Sequence, residues 1–481
     1  MFRITSVSGP RFAVQFRSDG AQPSNEISVI TGPNGSGKTE LLTAVAAYFR
    51  DPQQRPAAIA VSWAHDRRAS SDARIRSAPE APERVITQTF SPFTRFVAPE
   101  DDRLTLTEIY EEGRERLQRY RCIGLHRRSK YIGGVLSKHT LEQGLFRLSE
   151  APGKSEVMAE VLDALGFKDR VHLVYRKYPA MRDLLRAFYA GSLREYLDGL
   201  NGPSERIAGA TLAREARGAG SERLADLLAS ALELLRQQLD KASFDLSFSF
   251  SEGRASEDYA VMQALALLRR LRVLRLDQCN LTLASGDGSV DLADASSGQQ
   301  QMLCSIFGLV AELQSNSLVL IDEPELSLHP TWQMSFLGRL EAILRQFTGC
   351  HVLIATHSPL IVQSALERRL EVIRLPMPLN GLAPAETFLP DQKQASVEGT
   401  LLDVFRTPIR GSVYLANEIF DIVAEGEDGG EVARQSALTR LDQIRAIYAS
   451  MHNGGDPRVL QLIADAVKLL QNDDGEVPDA V

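Results

Sequence analysis

The sequence predicts an α/β protein in which a mixed, mainly parallel sheet is flanked by helices. The prediction rests on three largely apolar segments at residues 27–30, 317–321 and 350–355, each of which is followed by a helical pattern. Strands without polar alternation are typical of a parallel sheet that is buried on both faces, and strands that alternate with helices favour the α/β class. We therefore expect the polar residues that follow these strands to meet at one edge of the sheet.

A glycine-rich turn follows the first of these strands. The segment Gly32-Pro33-Asn34-Gly35-Ser36-Gly37-Lys38-Thr39 leads into a helical pattern over residues 40–49, which is the context of a phosphate-binding P-loop. Its glycines let successive backbone N–H groups face one spot, and the helix N-terminus adds partial positive charge there. Lys38 is expected to reach the β- and γ-phosphates of a nucleoside triphosphate, and the Thr39 hydroxyl to bind Mg²⁺. Further phosphate contacts are expected from Gly32, Asn34, Gly35, Ser36 and Gly37.

The composition is that of a soluble globular protein. The chain has 481 residues, 44% of them apolar and 24% charged, and its net charge of −8 argues against nonspecific coating of nucleic acid by bulk charge. Four widely separated cysteines predict reduced thiols rather than a disulfide framework or a zinc site. The N-terminus lacks the pattern of a signal peptide, and no apolar run approaches the ~18 residues that span a bilayer. We expect a cytoplasmic protein that reaches a membrane only through a partner.

Changes of pattern along the chain predict four segments. Residues 1–92 are the N-terminal part of the sheet domain with the P-loop, 93–275 a mostly helical insertion, 276–385 the C-terminal part of the sheet domain, and 386–481 a helical region that binds a partner or a second protomer. Within the insertion, a basic cluster predicts either a surface for DNA or RNA or a solvated helix face neutralised by neighbouring glutamates. Its members are Arg114, Arg116, Arg119, Tyr120, Arg121, Arg127, Arg128, Lys130 and Tyr131.

Two acids and a histidine end the later strands. Asp322 and Glu323 follow the strand at 317–321, and His357 follows the strand at 350–355. We expect Asp322 to hold Mg²⁺, Glu323 to polarise the attacking water, and His357 to contact the γ-phosphate or to align the water. Taken singly, an acidic pair can be a helix cap and a histidine can be structural. Together, in this order after a P-loop, they favour nucleotide hydrolysis.

Two further segments carry weaker signals. Ser296-Ser297-Gly298-Gln299 precedes a helical pattern and offers an anion a hydroxyl, backbone N–H groups and a helix N-terminus, although helix caps rich in Ser and Gly are common. Gln88, at the end of a short strand over 84–90, is expected either to contact Mg²⁺ or the attacking water, or to close the strand as a polar residue.

The order of these motifs, GPNGSGKT, ASSGQQQ, LVLIDEPELSLHP and ATHS, is similar to that of ABC-type ATPase heads, specifically of their SMC, RecF and OLD-like branch. The resemblance implies that ATP and Mg²⁺ bind between two protomers, with Ser296, Gly298 and Gln299 of one copy completing the P-loop site of the other. It also implies that Glu323 is the catalytic base, His357 the switch histidine and Gln88 the Q-loop residue.

The sequence departs from that pattern in two places. Ala295 and Ser297 stand where the usual signature has leucine and glycine. The turn Ser327-Leu328-His329-Pro330 replaces the short turn that follows the catalytic glutamate in transporter ATPases. The second departure favours the OLD-like branch. It also leaves undecided whether His329 makes the contact across the dimer.

The overall plan resembles the standalone ATPases of bacterial anti-phage systems, such as the Septu-type PtuA proteins that work with an HNH nuclease. The resemblance implies a Mg²⁺-dependent ATPase that dimerises on ATP and controls a nucleic-acid-directed effector. Two alternatives are the nucleotide-binding subunit of a membrane transporter and an OLD-like nuclease. The nuclease would need a Toprim metal site. The segment Val423-Ala424-Glu425-Gly426-Glu427-Asp428 resembles the opening of such a site, but it follows a helical pattern and no strand ending in D-x-D comes after it.

Overall fold

The structure, a computed structural model, describes most of the chain. The described residues are 2–17, 25–50, 55–65, 81–97 without 90 and 92, 119–124, 138–146 without 139 and 143, 155–200, 207–255, 259–377 without 287, 384–388, 396–408, 413–449 and 457–471.

The described part of the chain forms fifteen strands and fourteen α-helices. The strands are β1 (Phe2–Gly9), β2 (Phe12–Gln15), β3 (Glu26–Thr31), β4 (Ala60–His65), β5 (Arg84–Thr89), β6 (Tyr120–Gly124), β7 (Phe167–Lys177), β8 (Ser243–Ser249), β9 (Arg254–Ala255), β10 (Leu274–Leu283), β11 (Ser289–Asp291), β12 (Ser317–Asp322), β13 (His351–Ala355), β14 (Glu371–Arg374) and β15 (Glu386–Phe388). The α-helices are α1 (Lys38–Arg50), α2 (Glu156–Ala164), α3 (Pro179–Tyr189), α4 (Leu193–Gly199), α5 (Ile207–Ala219), α6 (Ser221–Leu234), α7 (Tyr259–Arg270), α8 (Ser297–Glu312), α9 (Pro330–Leu344), α10 (Pro359–Glu367), α11 (Val397–Asp403), α12 (Val413–Asp428), α13 (Gly430–Ala449) and α14 (Pro457–Gln471).

The central sheet has seven strands in the order β15-β14-β3-β13-β12-β5-β6. All neighbours pair in parallel except β15, which is antiparallel to β14. Every residue of β5, β12 and β13 is buried, as expected for parallel strands covered on both faces. The mixed, mainly parallel sheet predicted from the sequence is therefore confirmed.

The two faces of this sheet are covered by different elements. Leu318 and Leu320 of β12 pack with α1 and with a small antiparallel sheet of order β2-β1-β4. Val319 and Ile321 pack on the opposite face with α8, α9 and α10. Because side chains alternate along a strand, each strand of the sheet contributes to both cores, and the residue that ends it has its face fixed by this alternation.

The insertion contributes β7, β8 and β9 to a second sheet that the prediction of a mostly helical segment did not include, and β10 and β11, which lie almost wholly in the segment 276–385, complete it. Its five strands have the order β11-β10-β7-β8-β9 and pair antiparallel, and helices α2 to α7 belong to the same part of the chain. In β7, Phe167, Val171, Leu173 and Tyr175 are buried, and the residues between them are charged, His172 or Val174 and more exposed. This alternation of period two is the strand signal that the helical interpretation overlooked.

The central sheet extends beyond the segment bounds expected from the sequence. Strand β6 lies within 93–275, yet it hydrogen-bonds with β5 of the central sheet. Strand β15 lies within 386–481, yet it pairs with β14. Both are edge strands of the central sheet, and their short sequences carry little periodic signal of their own.

The C-terminal helices α12, α13 and α14 enclose a small apolar core that includes Leu441, Ile444 and Ile463. Leu402 of α11 reaches into this core, while Val404, two residues later, belongs to the large core of the central sheet. Helix α12 runs without interruption through 423–428, so the segment that resembles a Toprim opening is helical. Among the described helices, none is both long enough and apolar enough to cross a membrane.

Candidate active site

The P-loop lies between β3 and α1, where the backbone takes conformations that favour glycine. Gly32, Gly35 and Gly37 have φ values of 146°, 83° and 99°. A Cβ on Gly32 would lie 2.4 Å from the carbonyl oxygen of Leu375, so the loop passes against the end of β14 too closely for any side chain. The glycines are therefore required by the path of the backbone.

Lys38, the first residue of α1, is buried and points back along this loop. Its Nζ donates to the carbonyl oxygens of Gly32, at 2.8 Å, and Pro33, at 3.1 Å. Burial lowers the pKa of Lys38 to about 8, and the negative charges of Asp322 and Glu323 act in the opposite direction. The side chain remains mostly an ammonium at pH 7 and adds a positive charge inside the loop.

Thr39 and Asp322 meet at the carboxyl end of β12. The Thr39 hydroxyl donates to Oδ1 of Asp322 at 3.0 Å. Burial raises the pKa of Asp322 to about 7, which the hydrogen bond from Thr39 partly opposes. A divalent cation at this position would stabilise the carboxylate.

The donor set fits a triphosphate with Mg²⁺. A hydroxyl and a carboxylate are the oxygen ligands that Mg²⁺ prefers. Backbone N–H groups, the Lys38 ammonium and the Ser36 hydroxyl surround the loop, and Ser36 Oγ is buried without a hydrogen-bond partner among the described residues. A phosphate oxygen in the loop would give that hydroxyl an acceptor.

Glu323 follows Asp322 in a left-handed conformation, with φ of 50°. Its N–H donates to the carbonyl oxygen of Ala355 at 2.9 Å, so the residue is held against the end of β13. Its side chain is partly exposed at the same edge of the sheet. A non-glycine residue with positive φ costs free energy that the surrounding structure must offset, and such residues concentrate at functional sites.

His357 lies just past the end of β13 and is half-buried. Burial lowers the pKa of His357 to about 4, and the nearby Lys38 ammonium lowers it further. The imidazole is consequently neutral at pH 7, with one ring nitrogen that donates and one that accepts. The structure thus brings Lys38, Asp322, Glu323 and His357 to one edge of the sheet.

Glu325 also belongs to this edge, although the sequence analysis did not single it out. Its carboxylate accepts from the Thr356 hydroxyl at 2.9 Å and from the His357 N–H at 2.6 Å. The signal that could have identified it is the repeated acid in Asp322-Glu323-Pro324-Glu325, since a second carboxylate three residues past a strand can turn back onto the neighbouring strand.

Arg11 is a further contact of the P-loop that sequence reasoning missed. It lies between β1 and β2, and its guanidinium donates to the carbonyl oxygen of Gly35 at 2.9 Å and to the Glu40 carboxylate at 3.3 Å. No local motif announces it, because the contact depends on how the small antiparallel sheet packs on α1.

The segment Ser296–Gln299 opens α8 with a complete capping box. The Ser296 hydroxyl accepts from the Gln299 N–H at 3.3 Å, and the Gln299 side chain accepts from the Ser296 N–H at 3.1 Å. Ser296 and Ser297 are exposed. A Cβ on Gly298 would lie 2.8 Å from both the Ser327 carbonyl oxygen and the Trp332 ring, so this turn rests directly on the turn that follows Glu323.

His329, where the contact across the dimer was left open, is the N-cap residue of α9. Its Nδ1 accepts from the Thr331 N–H at 3.3 Å, and its side chain is exposed. The local role visible within one chain is therefore helix capping.

The structure does not bring Gln88 to Asp322. In β5 it pairs with Ile321 on one side and Ile123 on the other, and both belong to the core on the face opposite the P-loop helix. Its side chain is 1% exposed, and its amide has no hydrogen-bond partner within the described part of the chain. Thr89, one residue later, pairs with Asp322 instead. The alternation of the strand is the reason why the expected metal contact is not made.

The predicted nucleic-acid cluster is only partly within the described ranges, at Arg119, Tyr120 and Arg121. Tyr120 is buried in β6, and its hydroxyl donates to the carbonyl oxygen of Val97 at 3.0 Å. Arg121 forms an ion pair with Glu312 at 3.4 Å. Both residues therefore take part in packing, whereas Arg114, Arg116, Arg127, Arg128, Lys130 and Tyr131 lie outside the described residues.

One family model matches residues 170–363, described as "AAA domain, putative AbiEii toxin, Type IV TA system". The match runs from β7 into α10. It includes Ser296, Asp322 and His357 but not the P-loop, which the insertion separates from them in the sequence.

Similar curated proteins include the "Retron Vc95 probable ATPase" of Vibrio cholerae serotype O1 biovar El Tor, 22% identical over 29% of this chain and 29% of that protein. "Protein ea59" of Escherichia phage lambda is 30% identical over 28% of this chain and 27% of its own length. The "Septu protein PtuA" of Bacillus thuringiensis is 28% identical over 20% of this chain and 27% of its length. The chain thus spans less than a third of the length of these relatives.

Solved structures with distant similarity include a nucleotide-free ATP-binding cassette from an ABC transporter, with 12% identity and a TM-score of 0.28 over 85% of this chain and 95% of that one. Another is the Smc head domain of Pyrococcus furiosus bound to the C-terminal domain of ScpA, with 9% identity and a TM-score of 0.32 over 81% of this chain and 97% of that one. The strand order and the placement of the motifs agree with the resemblance drawn from the sequence: residues 170–363 match an AAA domain of the AbiEii type, and Asp322 of that stretch meets Thr39 of the P-loop at one edge of the central sheet.

Proposed function

We propose that this protein is a Mg²⁺-dependent ATPase that dimerises on ATP and thereby controls a nucleic-acid-directed effector in bacterial anti-phage defence. The observation that carries the proposal is the 3.0 Å contact between Thr39 of the P-loop and Asp322. It joins two segments that lie 283 positions apart, at the edge where Lys38 and His357 also lie.

Each of the residues at this edge has a separate role in the proposed hydrolysis. The P-loop N–H groups and Lys38 bind the β- and γ-phosphates, and Thr39 and Asp322 hold Mg²⁺. Bound Mg²⁺ supplies a Lewis acid that neutralises charge on the phosphate oxygens. Glu323 orients the attacking water and accepts its proton. His357, neutral at pH 7, donates a hydrogen bond towards the γ-phosphate.

Dimerisation is supported by the surface that the chain presents around the start of α8. Ser296 and Ser297 are exposed at a helix N-terminus, a position that favours an anion. On the P-loop, Pro33, Asn34 and Gly35 are exposed as well. In a dimer, Ser296, Gly298 and Gln299 of one copy would close the phosphate site of the other.

The defence role is supported by the names of two relatives, a retron ATPase and a Septu protein. By analogy we propose an effector protein such as an HNH nuclease, with DNA or RNA as the target. The C-terminal helices α12 to α14, which have their own core, are the proposed docking region for that effector or for a second copy.

A Glu323→Gln variant tests the ATPase and the dimer together. The amide cannot accept the proton of the attacking water, so hydrolysis should fall at least about 100-fold while ATP binding persists. The trapped ATP should hold two copies together, which size-exclusion chromatography with light scattering detects as a dimer in Mg-ATP and not in Mg-ADP.

Glu341→Gln is the matched control, because Glu341 pairs with Arg368 on the surface of α9, away from the P-loop. It should hydrolyse ATP at the wild-type rate. A wild-type protein without Mg²⁺-dependent ATPase activity contradicts the proposed reaction, and a Glu323→Gln protein that stays monomeric in ATP contradicts the proposed dimer.

A further inference from the structure

The carboxylate of Glu325 links the turn after β12 to the end of β13. Strands β12 and β13 are parallel neighbours, with Asp322 paired to Ala355 in register. The chain reverses after Glu323, since the Leu326 N–H donates to the Glu323 carbonyl oxygen at 3.3 Å. This reversal turns the Glu325 side chain back onto the two residues that follow Ala355.

Both carboxylate oxygens of Glu325 are used in that contact. Oε2 accepts from the Thr356 hydroxyl at 2.9 Å, and Oε1 accepts from the His357 N–H at 2.6 Å. Hydrogen bonds to an ionised acceptor are stronger and shorter than those between neutral groups. The carboxylate is thus held between the side chain of Thr356 and the backbone N–H of His357.

The same segment is held from its other sides as well. The Thr356 N–H donates to the Ile30 carbonyl oxygen at 3.0 Å, in the strand that leads into the P-loop. The Ser358 hydroxyl donates to the Gln333 side chain at 2.5 Å. Without Glu325, the His357 N–H would lose this acceptor. His357 is also the residue whose side chain must point towards the phosphate.

We propose that Glu325 is a positioning residue, whose carboxylate holds the Thr356 hydroxyl and the His357 N–H and so holds the imidazole towards the phosphate end of the P-loop. The inference rests on the proposed ATPase function and adds to it a residue that acts through His357. Glu325 itself makes no contact with the reacting atoms in this scheme, because its oxygens face β13.

Two substitutions separate positioning from a role of the negative charge. Glu325→Ala removes both acceptors. Glu325→Gln keeps one oxygen for the His357 N–H. Its NH₂ group can donate to the Thr356 hydroxyl, which already accepts from the Ser358 N–H at 3.0 Å and has one lone pair left, while the Thr356 O–H loses its acceptor; only the His357 contact is therefore kept in full. A base or a metal ligand would lose its function in both variants, whereas a positioning residue keeps it in Glu325→Gln.

The first readout is amide hydrogen exchange of a peptide covering residues 352–361, in the full chain without nucleotide. Exchange should be faster in Glu325→Ala than in the wild type, and close to the wild type in Glu325→Gln. Glu341→Ala, which removes a surface ion pair with Arg368, controls for a general loss of stability. Unchanged exchange in Glu325→Ala, or equal acceleration in Glu341→Ala, overturns the inference.

The second readout is steady-state ATP hydrolysis. Glu325→Ala should lower kcat about 10-fold to 100-fold, because a small displacement of a catalytic group has an effect of that size, with the KM for ATP little changed. Adding Glu325→Ala to a His357→Ala protein should cause no further loss of kcat. An equal loss in Glu325→Gln, or an additive loss in the double variant, overturns the inference.

The two failures remain distinguishable. If the wild type hydrolyses no ATP, the proposed function fails, and the exchange measurement alone still decides whether Glu325 holds the His357 backbone. If the wild type is active and the Glu325 variants match it in both readouts, the function stands and the inference fails.

Discussion

Burial shifts the pKa values of two residues of the site in opposite directions, and the physical cause is the same for both. It raises the pKa of Asp322 to about 7 and lowers that of His357 to about 4. In each case a low-dielectric environment disfavours the charged form. At neutral pH the site therefore combines a carboxylate that gains from a neighbouring cation with an imidazole that is uncharged. Mg²⁺ binding requires the ionised form of Asp322, and the neutral imidazole of His357 still has one N–H that can donate to a phosphate oxygen.

Gly298 provides a prediction at the residue scale. In Gly298→Ala the new methyl group would meet the Ser327 carbonyl oxygen and the Trp332 ring, each at 2.8 Å, so the start of α8 must shift. We expect a loss of about 1–3 kcal/mol in the free energy of unfolding. ATP hydrolysis should fall as well, because the displaced turn carries Ser296. The loss of stability is measured by thermal unfolding, and the loss of hydrolysis by a steady-state assay.

Gly199→Ala is the control for this change. Gly199 ends α4, and a Cβ there would have no atom within 4 Å. An alanine at a helical position is expected to be neutral or slightly stabilising. If the two substitutions lower the stability and the hydrolysis rate equally, the packing of Gly298 on the turn after Glu323 is not the cause of the loss.

At the scale of elements, His351 joins four strands through one chain of hydrogen bonds. The Ile4 N–H of β1 donates to Nδ1 of His351 at 3.0 Å, so the ring proton lies on Nε2, which faces the Ser28 hydroxyl at 3.2 Å. Ser28 donates in turn to the Glu371 carboxylate of β14 at 2.7 Å. The imidazole is fully buried and stacks edge-on against Phe16. These contacts and the burial of the ring favour the neutral form of His351.

This arrangement predicts that the sheet loses stability in acid. Burial and the nearby Arg3 guanidinium lower the pKa of His351 from 6.5 to about 3. Between these values the unfolded chain binds a proton that the folded chain does not. The contribution is therefore fully present above pH 6.5, and the free energy of unfolding falls by about 1.4 kcal/mol per pH unit below it.

A His351→Asn protein should show a flatter dependence on pH. Its Oδ1 can accept from the Ile4 N–H, but it has no group that titrates between pH 3 and 7. We expect a lower Tm than the wild type at pH 7, since the ring packing is lost, and a smaller fall in Tm between pH 6.5 and 4. Parallel Tm curves for the two proteins would assign the acid sensitivity to groups other than His351, such as His357, whose pKa burial also lowers.

Across the whole molecule, two bodies of apolar packing meet at α11. The large core includes Val404 and the smaller C-terminal core includes Leu402. Because helices α12 to α14 bury their apolar faces mainly against one another, the central sheet should not depend on them for its folding.

Removal of residues 409–481 tests that separation. We expect the shortened chain to keep the helix and sheet content of the remaining elements and to hydrolyse ATP at a rate close to that of the full chain. Binding of an effector or partner should be lost, as measured by co-purification. A shortened chain that is unfolded by circular dichroism would show that the C-terminal helices are part of the structural core of the ATPase.

The fold class and much of the candidate site could be predicted from the sequence because their signals are local. The P-loop is contiguous, and two strands are marked by the uninterrupted apolar residues 318–321 and 352–355, which end at Asp322 and near His357. Strand β7 was overlooked because charged residues interrupt its apolar positions, and β6 and β15 were placed outside the sheet domain because short edge strands carry little periodicity. The roles of Ser296, Glu323 and His357 in catalysis stay predictions.

The sequence by itself determined which residue types stand at the ends of strands and which turns require glycine, since both follow from the chemistry of neighbouring residues. The tertiary structure alone decided the direction of each side chain. Gln88 faces the core and Thr89 the Asp322 side because a strand alternates its faces, and Glu325 reaches His357 because a reversal of the backbone places them together across 32 positions. Register is set by packing between distant segments, so the sequence alone does not say which residues meet across the sheet.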